Sequence, residues 1–395
     1  MDKHTPSKPT VADIFRIGFE AYNKQYGPLP YEYYKIAHAI TNCRTEELGG
    51  HLYQCNDCGH EQVLYNSCRN RHCPQCQSNA RIRWVKERID EVLPVGYFHV
   101  VFTIPDILNP FALRNKKTFY SLMFRAVKET LIELAQDTKR LGAQVGFICV
   151  LHTWGQTLVD HPHIHVIIPA GGLAFTQKKW IHCKKKFLFP VPVMQKLFQG
   201  KMIAFFKEAV DKGSIGFYGS LTRYLNNNLF NNLLHVLYKK KWVVFIKEAF
   251  ATPESVIKYL GNYTHRIAIS NRRILKITND TVTFLYKDYN DNNKRKQMTL
   301  SIVEFIRRLM LHALPGGFMR IRHFGFFANR NRKIRLPIIM KLLKRKQKNK
   351  TTQQKQWQEI ITELTGHDLT TCPKCRKGKM KCIEEIPKSK FRKVA

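Results

Sequence analysis

The stretch Asp160-His161-Pro162-His163-Ile164-His165-Val166-Ile167-Ile168-Pro169 sets three histidines on alternate positions and runs them into a branched apolar segment. A period of two is the alternation of a β-strand with one polar and one buried face. Such a strand points His161, His163 and His165 to one side and sends Ile164, Val166 and Ile168 into a core. Imidazoles on alternate positions stand about 7 Å apart and converge on one divalent ion when a further group completes the coordination. Just upstream, residues 145–157 read as a second strand, joined to the first through Leu158-Val159-Asp160, so an antiparallel pair is expected. Its register decides what joins the histidine face. If paired positions sum to an odd number, His152, Trp154 and Gln156 share that face; if even, Thr153 and Thr157 do. His152 and Gln156 are therefore candidate third ligands.

The 395 residues suffice for two or three domains, and 44% apolar content with 12% aromatics excludes a mostly disordered chain. Charge is the outlier: 66 Lys and Arg against 29 Asp and Glu give +37 and a pI near 9.9. A surface of that kind attracts polyanions and points to nucleic acid before any motif is read. The first residues lack the apolar core of a signal peptide, and no uncharged apolar run approaches the roughly 18 residues of a membrane span. A cytoplasmic, nucleoid-associated protein is expected, in which eleven cysteines are metal ligands or free thiols rather than disulfides.

Six of those cysteines lie between positions 43 and 76. Cys55-x2-Cys58, fourteen intervening residues and Cys73-x2-Cys76 have the spacing of two knuckles gripping one tetrahedral zinc. His51, Cys68 and His72 remain beside them as candidates for a second zinc, with second-shell or surface placement as the alternative. Arg69, Arg71, Arg81 and Arg83 around this ribbon favour DNA binding. Near the other end, Cys372-x2-Cys375 with Cys382, and His367 as a further candidate, reads as an incomplete knuckle, with free surface thiols as the alternative. It follows a run, 331–356, of ten Lys or Arg and no acid, which suits a phosphate-seeking tail.

Residues 253–263 read as a helix that carries Tyr259 and Tyr263 four apart, on one face. Alone, such a pair is an ordinary amphipathic face. Together with a His-hydrophobic-His pair and a basic surface it offers a nucleophile: a phenol in line with a phosphate forms a phosphotyrosine and conserves the bond for a second transfer. The expected division is a helical and zinc-binding DNA-recognition domain over 1–94, a catalytic domain over 95–335 with a covering insertion near 170–240, and a basic tail over 336–395.

The blocks LHTWGQTLVDHPHIHVIIPAGG (151–172), VIKYLGNYTHRIAISN (256–271), TFLYKDYND (283–291), FIRRLMLHALPGGFMRIRHFG (305–325) and YNSCRNRHCPQCQ (65–77) resemble those of the bacterial rolling-circle insertion-sequence transposases, the IS-ninety-one-like family. The likeness is collinear from about residue 12 to 378. It implies an α+β fold with an antiparallel-sheet His-hydrophobic-His (HUH) nuclease core flanked by helices. It also implies Mg²⁺ or Mn²⁺ on His163 and His165, Tyr259 or Tyr263 as nucleophile, structural Zn²⁺ helping to recognise element ends, and single-stranded and target DNA as partners. The competing readings are a plasmid or phage replication initiator or relaxase, with the same chemistry, and a non-catalytic zinc-ribbon DNA-binding protein.

Overall fold

The computed structural model describes residues 8–184, 188–250, 266–344 and 370–389, with the single positions 256, 261 and 368. Helix α1 (Val11–Tyr26) opens on a capping box: Thr10 Oγ1 accepts from the Asp13 amide at 3.3 Å, and Asp13 accepts from the Thr10 amide at 2.9 Å. After it come α2 (Tyr31–Thr41), the ribbon strands β1 (Gly50–Cys55) and β2 (Glu61–Tyr65), and α3 (Gln77–Arg88). Next are β3 (Tyr97–Thr103), α4 (Asn109–Arg114), α5 (Lys116–Gln136), β4 (Gly146–Trp154) and β5 (Asp160–Pro169). A two-stranded pair, β6 (Gly171–Leu173) and β7 (Trp180–His182), leads to α6 (Val191–Asp211), α7 (Asn227–Lys239) and β8 (Val243–Phe250). The chain goes on through β9 (Ile274–Ile277), β10 (Thr281–Asp288), β11 (Lys294–Ser301), α8 (Ile302–Leu311), β12 (Ile321–Gly325), α9 (Asn329–Leu342) and β13 (Met380–Ile386).

The α+β expectation holds, with every named strand pair antiparallel. By their internal contacts the compact units are not contiguous along the chain. One compact unit gathers Met1–Trp84, His265–Ala313 and Lys348–Ala395; the other comprises Val85–Thr264 and Leu314–Gln347. Within the first unit, β13 pairs with β1 so that Cys55 stands opposite Met380, and α1 touches α8 where Gly18 meets Ile302. Contacts between segments far apart in the sequence, which no local pattern announces, hold that unit together.

The second unit is organised by a five-stranded sheet in the order β12-β4-β5-β3-β8. Its core face carries Phe98, Val100, Phe102, Phe147, Cys149, Leu151, Ile164, Val166 and Ile168, which join Phe119, Met123 and Val127 of α5 and Phe198 and Met202 of α6 in one apolar cluster. Burial of a large side chain is worth about 1.5–3 kcal/mol, so this face fixes the pleat and hence what the other face displays.

Candidate metal centres

The β4–β5 register pairs Ile148 with Ile167, Val150 with His165 and His152 with His163. Paired positions sum to an odd number, so His152 falls on the histidine face. The β3 and β8 registers extend that face in rows. His163 stands opposite Thr103 and Thr103 opposite Val243; His165 stands opposite Val101 and Val101 opposite Phe245; Ile167 stands opposite His99 and His99 opposite Lys247. Val243 and Phe245 are exposed, whereas His152, His165 and His99 are buried and His163 is half-buried.

His152, His163 and His165 each offer a ring nitrogen, and these atoms lie within 4.8 Å of one another. Ring centroids are 4.5 Å apart for His152 and His165 and 4.8 Å apart for His163 and His165. Two further contacts orient the rings. The Nδ1–H of His163 donates to the His161 carbonyl at 2.7 Å, which fixes the tautomer with its proton on Nδ1. Nδ1 of His165 lies 2.8 Å from Nε2 of His99, a contact that orients the His165 ring when its Nδ1–H donates. His99 suits the acceptor role, since burial, and then the charge of Lys247, push its pKa down to about 4 and keep it neutral. At the other end of the sheet face, His323 stands opposite Ile148 and is pushed to about 4 by burial and the positive charges of Arg88 and Arg332.

Three imidazoles whose ring nitrogens converge in this way are a donor set for a divalent transition ion. His161 belongs to β5, is exposed, and contributes through its carbonyl. Gln156 sits in the β4–β5 turn, beyond the register shift between His152 and Trp154. Tyr259 and Tyr263 lie outside the described residues. His99 is the member that sequence reasoning missed: its strand was legible, but its contact with His165 depends on a pairing between positions 66 apart.

The cysteines converge differently from expectation. Cys55, Cys58, Cys73 and Cys76 do not form one tetrad; the structure shares them between two groups, Cys43/Cys68/Cys73/Cys76 and Cys55/Cys58/Cys372/Cys375. The physical reason is strand pairing, since β13 against β1 brings the C-terminal cysteines to the end of the ribbon. In the first group Cys76 Sγ lies 3.5 Å from both Cys43 Sγ and Cys68 Sγ. Hydrogen bonding with Cys43 leads the effects that push the Cys68 and Cys73 thiols up and hold Cys76 down, so the four cannot all ionise unless a cation balances them. Of His51, Cys68 and His72, only Cys68 enters a tetrad; His51 Nδ1 is 3.9 Å from Cys382 Sγ instead. Cys382 is thus beside His51 rather than in a C-terminal knuckle, and His367 lies outside the described residues.

Comparison with known proteins agrees with these parts. The family described as "Transposase zinc-binding domain" matches residues 14–104, and the one described as "Putative transposase" matches residues 146–335. A putative transposase of Sinorhizobium fredii is 45% identical over 380 residues, 96% of each chain. The chain belongs to the IS-ninety-one-like transposases. The transposase of insertion sequence element IS801 from Pseudomonas savastanoi pv. phaseolicola is 28% identical over 76% of this chain and 72% of its own. No solved structure matches. Membership makes this transposase a DNA-cleaving and strand-transferring enzyme in general terms, with a structural zinc-binding domain. No described helix is long and apolar enough to cross a membrane.

Proposed function

We propose that this transposase nicks and rejoins single-stranded DNA at the ends of its insertion sequence through a tyrosine nucleophile, in a rolling-circle mode. The observation that carries the reading is the convergence of His152, His163 and His165 on one sheet face, with Nδ1 of His163 and His165 already engaged. His152, His163 and His165 would hold a divalent cation, which would supply Lewis-acid polarisation of a phosphate oxygen. Nitrogen donors suit Mn²⁺ better than the harder Mg²⁺. Tyr259 and Tyr263 are the nucleophiles of this reading. A phenolic oxygen attacks phosphorus, the bond from phosphorus to the 3′ oxygen breaks, and the 3′ oxygen leaves as a hydroxyl carrying a proton. One phosphodiester is exchanged for a 5′-phosphotyrosine, so no external energy source is required. Cys43, Cys68, Cys73 and Cys76 hold zinc in the module that recognises the element's ends, and the two relatives from Sinorhizobium fredii and Pseudomonas savastanoi are named as transposases rather than replication initiators.

The test is a covalent-adduct assay on single-stranded terminal DNA with Mn²⁺. Wild type forms a protein–DNA adduct, Tyr259→Phe with Tyr263→Phe abolishes it, and His163→Ala abolishes nicking. Peptide mapping places the DNA on a tyrosine. Persistent adduct in the double tyrosine variant sinks the mechanism, and binding without any adduct in wild type leaves a non-catalytic DNA-binding protein.

A further inference from the structure

Cys372 and Cys375 lie outside the span matched by the zinc-binding family, residues 14–104, yet they complete a four-sulfur site with Cys55 and Cys58. Cys55 Sγ is 3.8 Å from Cys375 Sγ, and Cys58 Sγ is 3.7 Å from Cys372 Sγ. Tetrahedral zinc with Zn–S of about 2.3 Å sets its sulfurs roughly 3.8 Å apart. A disulfide would need about 2.05 Å, and all four cysteines are free.

The surroundings are built for thiolates. The Asp57 amide donates to Cys55 Sγ at 3.5 Å and the Gly378 amide to Cys375 Sγ at 3.3 Å, the hydrogen bonding that favours charged sulfur. The two turns also clasp each other: the Asn56 amide donates to the Lys379 carbonyl at 3.1 Å, and the Lys379 amide donates to Asn56 Oδ1 at 2.7 Å. They approach so closely that a Cβ on Gly378 would stand 2.5 Å from Cys55 Sγ.

We propose that Cys55, Cys58, Cys372 and Cys375 form a second zinc site that fastens β13 to the N-terminal ribbon. The ribbon alone is β1 with a fully exposed β2, and a two-stranded hairpin is marginal in water. Zinc across Cys55 and Cys375 joins positions 320 apart, a loop length at which a crosslink restricts the unfolded chain strongly. The N-terminal module is therefore complete only once the last knuckle has been synthesised.

Metal analysis of the full-length transposase tests this. Two zinc ions per chain are expected, falling to one in the double variant Cys372→Ser, Cys375→Ser, and also to one in Cys68→Ser, Cys76→Ser. Gly378→Val, which removes no ligand, lowers the count to one as well. Titration of the metal-stripped wild-type chain with Co²⁺, followed by thiolate charge-transfer absorbance, is independent of how any variant folds; its endpoint is expected at two equivalents. An endpoint at one equivalent, or two zinc ions retained in Cys372→Ser, Cys375→Ser, overturns the second site.

Discussion

His165 meets different parts of the fold: its ring lies 4.5 and 4.8 Å from those of His152 and His163, while its Nδ1 meets His99 Nε2 at 2.8 Å. Ligating histidines depend on the partner of their other nitrogen for tautomer and ring orientation, and loss of such a partner weakens metal binding about 10–100-fold. His99→Leu is expected to raise the Mn²⁺ concentration for half-maximal nicking by that factor, with direct Mn²⁺ binding measured by electron paramagnetic resonance shifting in parallel. His99→Asn, which keeps an acceptor, should recover part of the loss. Unchanged midpoints in His99→Leu would show that the imidazole of His165 is oriented by other contacts. At this scale the sequence was informative where periodicity speaks. His163 and His165 announce themselves by alternation, and His152 follows once the register proves odd. His99 has no such signal, since a buried histidine in an apolar strand looks like any core residue until β3 is laid against β5.

Elements with strong apolar alternation were legible, and elements held by pairing alone were not. β4 and β5 follow from their branched residues because one face must be buried. β11 (Lys294–Ser301) carries only Met298 and Leu300 as apolar residues and is a strand because β10 pairs with its whole length, from Thr281 opposite Ser301 to Asp288 opposite Lys294. β13 is similar: five of its seven residues are exposed, and β1 supplies its register. The association of α1 with α8 was hidden for another reason, since it rests on one small residue. A Cβ on Gly18 would stand 1.9 Å from Ile302 Cγ2, and Ile302 and Ile306 are buried. Gly18→Val should therefore separate the helices and destabilise the first unit by about 2 kcal/mol through overpacking. Chemical denaturation would measure it. Pairing Gly18→Val with Ile302→Ala should return part of the loss, and full additivity of the two changes would mean that the helices do not meet there.

Over the whole molecule, 66 basic residues face 29 acidic ones, so at least 37 positive charges have no acid to neutralise them. Many of the acids are committed locally: Asp288 and Asp291 both hold Lys296, at 2.9 and 3.0 Å, and Glu208 holds Arg125 and Lys212 at 2.9 and 2.7 Å. The uncommitted charge is what DNA phosphates can use, and each neutralised phosphate releases counterions. If roughly six to ten phosphates are contacted, affinity falls by about 10³–10⁵ between 50 and 200 mM salt. Which charges take part can be argued from their partners. On α9, Arg332 is spent on Glu91 at 3.0 Å, whereas Arg330 and Lys333 are exposed and have no ion-pair partner among the described residues. Removing one phosphate contact lowers the salt slope by about 1. The double variant Arg330→Ala, Lys333→Ala is therefore expected to lower the slope by about 2 and weaken binding alike for any sequence, while Lys296→Ala, whose charge is already spent on two carboxylates, changes it little. Fluorescence anisotropy with labelled single-stranded DNA across a salt series gives all three slopes. An unchanged slope for the α9 variant together with a reduced one for Lys296→Ala would move the phosphate track from α9 to the β10–β11 hairpin, where the apparent ion pairs would have to open to admit DNA.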